Sequence, residues 1–342
     1  MDESTSLSEP CMLTSEPPPS VDWVGSADSG IGESTIPPPP KHGALWRAIG
    51  GLKTMRPHQW VKNAFVLAAV FFAKDFFHVN LFVRAFAAFA VFCLLASAVY
   101  TINDLVDIEA DRAHPAKRYR PIAAGRFPPR AARILAVVLV AVSLVAAARL
   151  STWFFATAVA YFALNIAYSF RLKRIAYVDV CCIAIGFVLR VMGGGFATNI
   201  TLSWYLIVCT ALLALFLGFG KRRHEIAQSS RKGSKTRVAL DAYSPRALNI
   251  ALFITATATV VTYAAYTIDP ATRDWFSSDW LWLTTPFTIL GVIRFLQLVA
   301  RRTRAESPTQ EMLRDTLFVL NIVVWALVAF AIVYQVRPKV GL

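Results

Sequence analysis

The chain has 342 residues, of which 56% are hydrophobic and 16% charged, with a formal net charge of +14 and a mean hydropathy of +0.51. Its apolar residues fall in blocks about 17–22 residues long with few charges, which excludes an ordinary soluble core and reads as transmembrane helices. A basic excess of this size could suit nucleic acid, but the Lys and Arg residues cluster in loops between alternate apolar blocks, so the partner implied is the membrane and not nucleic acid.

Residues 1–40 carry seven acids, no Lys or Arg, and the runs Pro17–Pro19 and Pro37–Pro40. That composition predicts a disordered tail over 1–43, without the charged and apolar regions of a signal peptide, ahead of one membrane domain over 44–342. Leu45, Trp46, Ile49 and Leu52 then share one side of a short segment whose other positions are basic, which suits a helix lying at the membrane surface. Arg56, Gln59, Lys62 and Asn63 lead into the first span.

Nine spans are expected, at about 61–77, 82–102, 132–150, 152–170, 176–197, 202–220, 247–267, 279–300 and 315–335. The first is the weakest, because Lys74 and Asp75 interrupt its end. With nine spans, the loops on one side hold 27 Lys and Arg residues. The other side holds six: Lys74, Arg84, Arg149, Arg273, Arg337 and Lys339. The positive-inside rule then puts the N-terminus in the cytoplasm and the C-terminus outside. The five cysteines form no CxxC pair and imply neither a disulfide nor a metal site.

The stretch 103–125, NDLVDIEADRAHPAKRYRPIAAG, separates the second and third spans on the basic side. On a helix turning 100° per residue, Asn103, Asp104, Asp107 and Asp111 fall at about 0°, 100°, 40° and 80°, so all four share one face while Glu109 lies opposite. Three carboxylates so close repel one another unless a cation lies among them, and hard oxygens of this kind suit Mg²⁺. Pro115 ends the helix, and Lys117, Arg118, Arg120 and Arg126 follow. Acids for a metal, followed by cations for phosphate, describe a diphosphate-handling site. The bland alternative is a solvated loop between two membrane helices.

Further on, Asp179 sits one turn into the fifth span, where an acid is expensive, and Arg190 lies roughly 16 Å deeper along the same helix stripe. A structural ion pair is the alternative there. Gly193–Gly195 would allow a close helix approach or a break. GKRRHE at 220–225 adds Lys221 and Arg222, whose cations suit direct phosphate contact.

NDLVDIEAD resembles the NDxxDxxxD motif of the UbiA superfamily of membrane prenyltransferases. DRAHPAKRYRPIAAG resembles one branch of it, the decaprenyl-phosphate phosphoribosyltransferases. That branch is similar again at 55–75, 179–195 and 216–225, so the resemblance covers roughly 46–336. It implies an all-α UbiA-like bundle with a cavity open to the cytoplasm, in the cell (inner) membrane. Asp104, Asp107 and Asp111 become the catalytic acids and, with Asn103, the Mg²⁺ ligands. Lys62, Asn63, Lys117, Arg118, Arg120, Tyr168, Lys173, Asp179, Arg190, Lys221, Arg222 and Glu225 become the substrate-binding set. Tyr168 and Lys173 resemble the superfamily's YxxxK motif, but with four residues between them. GKRRHE stands where typical members resemble one another in a second Asp-rich motif, so this chain offers cations in place of acids.

The expected reaction moves a 5-phosphoribosyl group from phosphoribosyl diphosphate to a polyprenyl (decaprenyl) phosphate for cell-wall arabinan synthesis. The alternatives are transfer of an isoprenoid from its diphosphate to an aromatic acceptor, and transport of a phosphorylated metabolite. Self-association into a homo-oligomer stays open.

Overall fold

The computed structural model describes residues 43–73, 78–115, 117–232, 242–300, 312 and 314–334, with backbone only at 228–232. The expected tail, Lys74 and Asp75, the side chains of the basic run 231–237, and residues 335–342 lie outside the described residues. Among the described residues every regular element is a helix.

The first helix, α1 (Ala44–Met55), buries only Gly50, Gly51 and Thr54. These small residues let it lie against Arg126 and Phe127. Leu45, Ile49 and Leu52, spaced along the opposite face, stay exposed, as a helix resting in the lipid interface requires. Arg56 then adopts a left-handed conformation (φ 53°, ψ 60°), which breaks α1 from the next element.

That next element differs from the span expected at 61–77. It is a 3₁₀ helix, Pro57–Leu67, continued by a five-residue helix α2 (Ala68–Phe72). At about 2.0 Å and then 1.5 Å per residue the two together extend roughly 30 Å, about the thickness of a hydrocarbon core. Its buried Asn63 and Val66 pack directly on a later helix, where a Cβ added at Gly194 would overlap the Val66 carbonyl oxygen. Gly193 likewise faces the ring of Phe92, which a Cβ would approach to 2.6 Å. The triple glycine therefore serves close packing, and the helix that carries it runs on unbroken.

The chain continues through α3 (Val79–Val106), α4 (Ile108–Ala113), α5 (Pro129–Leu150), α6 (Thr152–Phe170) and α7 (Val178–Thr198). It ends with α8 (Trp204–Lys232), α9 (Pro245–Ile268), α10 (Pro270–Phe276), α11 (Thr285–Ala300) and α12 (Thr316–Val333). Among the described residues eight helices are long and apolar enough to cross a membrane; the ninth expected span is the irregular segment 57–72. The molecule is a polytopic membrane bundle.

Two large apolar clusters, with a smaller one of Phe276, Leu281 and Val333, hold it together. Val66, Phe92, Leu95, Phe154, Ala158 and Tyr161 join the first half, and Phe216, Leu248, Phe295 and Phe318 join the second. Helix α7 belongs to both, giving Ala197 to one and Val180 to the other. Lipid tails are as apolar as leucine, so burial drives such packing weakly and backbone-directed polar bonds count for more. Arg84 shows this, donating to the carbonyls of Ala197 (2.7 Å) and Leu150 (3.0 Å) at the C-terminal ends of α7 and α5. Outward residues such as Ile134, Val137, Val145, Leu317 and Leu327 remain exposed, as lipid-facing side chains should.

Candidate active site

The acidic stretch does not lie on one continuous helix. Helix α3 stops at Val106, Asp107 takes a non-helical conformation (φ −92°, ψ 11°), and α4 restarts at Ile108. Even so, the two outer acids converge. Asp104 and Asp111 are each 2% exposed, and one guanidinium, that of Arg120, bonds both: Nη1 lies 3.2 Å from Asp104 Oδ1 and 2.7 Å from Asp111 Oδ2. Arg56 Nη2 adds a 2.6 Å bond to the same Asp104 oxygen, its guanidinium lying 4.8 Å over the Tyr100 ring.

Asn103 and Asp107 are half-buried beside this group. Among the described residues no three acidic, His or Cys side chains form a ready metal cluster. The donor set still fits a divalent ion. Two buried carboxylates point at one positive centre, here a guanidinium, and the amide of Asn103 and the carboxylate of Asp107 supply further hard oxygens nearby.

A second polar group is fully enclosed. Asp179 is 0% exposed and forms an ion pair with Arg222 Nε at 2.8 Å, the oxygen lying off the line of the N–H bond. Arg222, 1% exposed, also donates to Glu225, and Tyr243 donates its hydroxyl to Asp179. The same hydroxyl accepts from the Tyr177 backbone N–H (2.8 Å), fixing a residue held at φ 66°. Burial, reinforced by the bond to Asp179, raises the Tyr243 phenol above its ordinary range, so it remains a donor. This network ties α7, α8 and the start of α9, and it occupies the Arg222 side chain that the sequence suggests for phosphate.

The third group lies deeper. Arg190 donates from Nε to Asn63 Oδ1 (2.7 Å) and from Nη2 to the Tyr161 hydroxyl (2.8 Å). It also lies 4.8 Å and 5.0 Å over the rings of Tyr161 and Phe187. Asn63 donates in turn to Cys93 Sγ at 3.3 Å. Electrostatic neighbours connect the three groups: Lys62 feels Lys221, Arg190 and Arg56, and Tyr100 feels Arg190, Arg56 and Tyr168. Tyr168 also acts on Arg222.

Of the remaining expected residues, Lys221 faces Glu225 at 4.0 Å, and Tyr168 and Lys173 are half-buried. Lys117 and Arg118 are exposed at the loop surface, Arg118 bonding and stacking on its neighbour Tyr119 (2.8 Å and 4.9 Å). A separate cavity of about 590 Å³ at the far end of the bundle is lined by Tyr205, Tyr263, Tyr266 and Trp275, and it contains none of the expected site residues. Sequence reasoning passed over Arg56, Tyr161 and Tyr243 as site residues. Arg56 had a usable signal, standing before a proline ahead of the first span; the tyrosines had none.

An all-α membrane bundle, with buried acids at one face and cations reaching inward from them, defines a membrane protein built to hold a multiply charged anion. The sequence pattern of the UbiA prenyltransferase family matches residues 63–322, and the chain belongs to that family.

Among its relatives is Decaprenyl-phosphate phosphoribosyltransferase of Mycobacterium tuberculosis, 36% identical over 300 residues, covering 86% of this chain and 96% of that protein. The protein of the same name from Corynebacterium glutamicum is 39% identical over 263 residues, covering 75% and 77%. A solved UbiA homologue from Archaeoglobus fulgidus, bound to DMAPP and Mg²⁺, shares the fold with a TM-score of 0.60 and 20% identity, covering 84% of this chain and all of that one.

Proposed function

We propose that the protein transfers the 5-phosphoribosyl group of phosphoribosyl diphosphate to decaprenyl phosphate and releases diphosphate, with residues 44–342 as the catalytic domain. The relatives from Mycobacterium tuberculosis and Corynebacterium glutamicum bear that activity in their names and align along most of this chain. The structural observation that carries the reading is the charge arrangement. Asp104 and Asp111 sit at one face beside Arg56 and Arg120, and in place of a second acidic motif the chain carries the half-buried Lys221 next to the enclosed Asp179–Arg222 pair.

In this reading Asn103, Asp104, Asp107 and Asp111 hold Mg²⁺. The bound ion would supply a countercharge for the leaving diphosphate. Arg120 and Arg56 can turn from the carboxylates to the diphosphate oxygens, where Arg bonds bidentately. As the C1–O bond to diphosphate breaks, an oxocarbenium-like centre develops on the ribose. An oxygen of the lipid phosphate, already an anion, forms the new C1–O bond without a general base.

The protein is placed in the cell membrane with the acidic loop and N-terminus cytoplasmic, nine crossings and the C-terminus outside, on the basic-residue asymmetry of the loops. Purified protein incubated with phosphoribosyl diphosphate, decaprenyl phosphate and Mg²⁺ should yield a lipid heavier by one phosphoribosyl group in mass spectrometry. No such product, together with consumption of a prenyl diphosphate and an aromatic acceptor, would instead establish prenyl transfer.

A further inference from the structure

A cation near the middle of a bilayer is costly unless an acid or water compensates it. Arg190 lies eleven residues beyond Asp179 on α7, roughly 16 Å along the helix. Its partners are all neutral: the Asn63 carbonyl oxygen, the Tyr161 hydroxyl and two aromatic rings. Asn63 and Tyr161 are 1% and 2% exposed, so the guanidinium is held in a fixed orientation. Asn63 has its own orientation set, because its amide nitrogen donates to Cys93 and its oxygen must then face Arg190. Two of the five guanidinium donors are engaged there, and Nη1 looks onto Gly186. Gly186 is itself buried, yet a Cβ there would meet nothing within 4 Å except Nη1, at 3.6 Å, so a gap lies beside the guanidinium. A fixed, uncompensated cation with donors to spare beside such a gap suits an anion.

Its depth decides which anion. Cys93, which reaches Arg190 through Asn63, precedes Asp104 by eleven residues on α3, so the receptor lies roughly 16 Å inward from the acidic group. A ligand held at both ends must carry negative charge at both ends. Phosphoribosyl diphosphate does, with diphosphate on C1 and a monophosphate on C5. A prenyl diphosphate would put an apolar tail against Arg190. The lipid phosphate has a single anionic head, and its tail must stay in the membrane.

We propose that Arg190, oriented by Asn63 and Tyr161 over the Gly186 gap, receives the 5-phosphate of the donor and thereby selects a phosphoribosyl over a prenyl diphosphate. This rests on the phosphoribosyl reading above.

The test uses detergent-purified full-length protein, wild type, Arg190→Gln and Gly186→Val. Titration calorimetry follows binding of phosphoribosyl diphosphate, ribose 5-phosphate and inorganic diphosphate, and KM is measured for donor and lipid. Losing one charge-assisted phosphate contact should weaken donor binding about 10- to 150-fold in Arg190→Gln. Ribose 5-phosphate, which keeps only the inner anion, should bind wild type and lose its binding in the variant. Inorganic diphosphate affinity and the lipid's KM should change less than about twofold. Gly186→Val, which fills the gap and leaves every charge in place, should reproduce the selective loss and covers the case in which Arg190→Gln does not fold.

Equal loss of diphosphate binding would mean a structural Arg190, and a raised lipid KM with unchanged donor binding would mean a receptor for the acceptor. Either result overturns the assignment while leaving phosphoribosyl transfer intact. Wild type that neither binds nor consumes phosphoribosyl diphosphate would overturn both.

Discussion

Arg222 offers the sharpest separation between holding the fold and holding a substrate. Replacing it with Ala leaves Asp179, which has no exposed surface, with the Tyr243 hydroxyl but without its countercharge, and strands Glu225 beside it. Removing one member of a buried ion pair costs about 3–5 kcal/mol, because the remaining charge stays buried and unpaired. At about 2–4 °C per kcal/mol for a large domain, Tm should fall by roughly 6–20 °C. The assay is survival of the monodisperse peak in size-exclusion chromatography after heating in detergent, at one heating schedule for all variants because unfolding is irreversible. Asp179→Asn combined with Arg222→Gln removes both charges and should recover most of the loss. An Arg222→Ala protein with wild-type Tm and a raised donor KM would refute this reasoning and return the guanidinium to the substrate.

Asp107→Asn should purify normally and lose turnover by about a hundredfold or more, since it deletes a carboxylate from the ion-binding set without breaking any observed ion pair; full activity with unchanged Mg²⁺ dependence would remove Asp107 from that set. Arg56→Ala should raise the donor KM about 10- to 150-fold while sparing the lipid KM, measured at saturating Mg²⁺. Gly194→Ala should cost about 1–3 kcal/mol or more, seen as a lower Tm and yield, because its Cβ overlaps the Val66 carbonyl oxygen and backbone cannot step aside. A label at the C-terminus should react from outside intact cells and one near Ser229 should not; the reverse pattern would reject the proposed orientation.

The helical bundle was legible because lipid imposes a simple rule. Backbone polar groups must be satisfied within each segment, so eight apolar blocks had to be helices, and their observed limits lie within a few residues of the expected ones except at α8, which runs on through GKRRHE to Lys232 where the expected span ends at 220. The segment 57–72 escaped that rule. Hydropathy sees only its length, whereas its close packing on Gly194 is a contact between residues more than a hundred positions apart.

The acidic loop shows the same division. Helical periodicity rightly brought Asp104 and Asp111 together, yet it missed the break at Asp107 and the shared Arg120 guanidinium, which depends on how the chain returns after Pro115. Asp179 was visible as a costly charge with a structural ion pair as the alternative reading, but Arg222 was read as a cation for phosphate. That they neutralise each other, with Tyr243 as a third partner, is a tertiary fact that no local spacing encodes.

The most direct measurement follows the two halves of the donor separately. Phosphoribosyl diphosphate labelled with ¹⁴C in the ribose and ³²P in the terminal phosphate is supplied with decaprenyl phosphate to the purified protein in vesicles. Phosphoribosyl transfer sends ¹⁴C to the lipid fraction and ³²P to free diphosphate, in equal amounts and only when the lipid phosphate is present. Arrival of ³²P in the lipid, or no ¹⁴C there while a prenyl diphosphate is consumed, would contradict it.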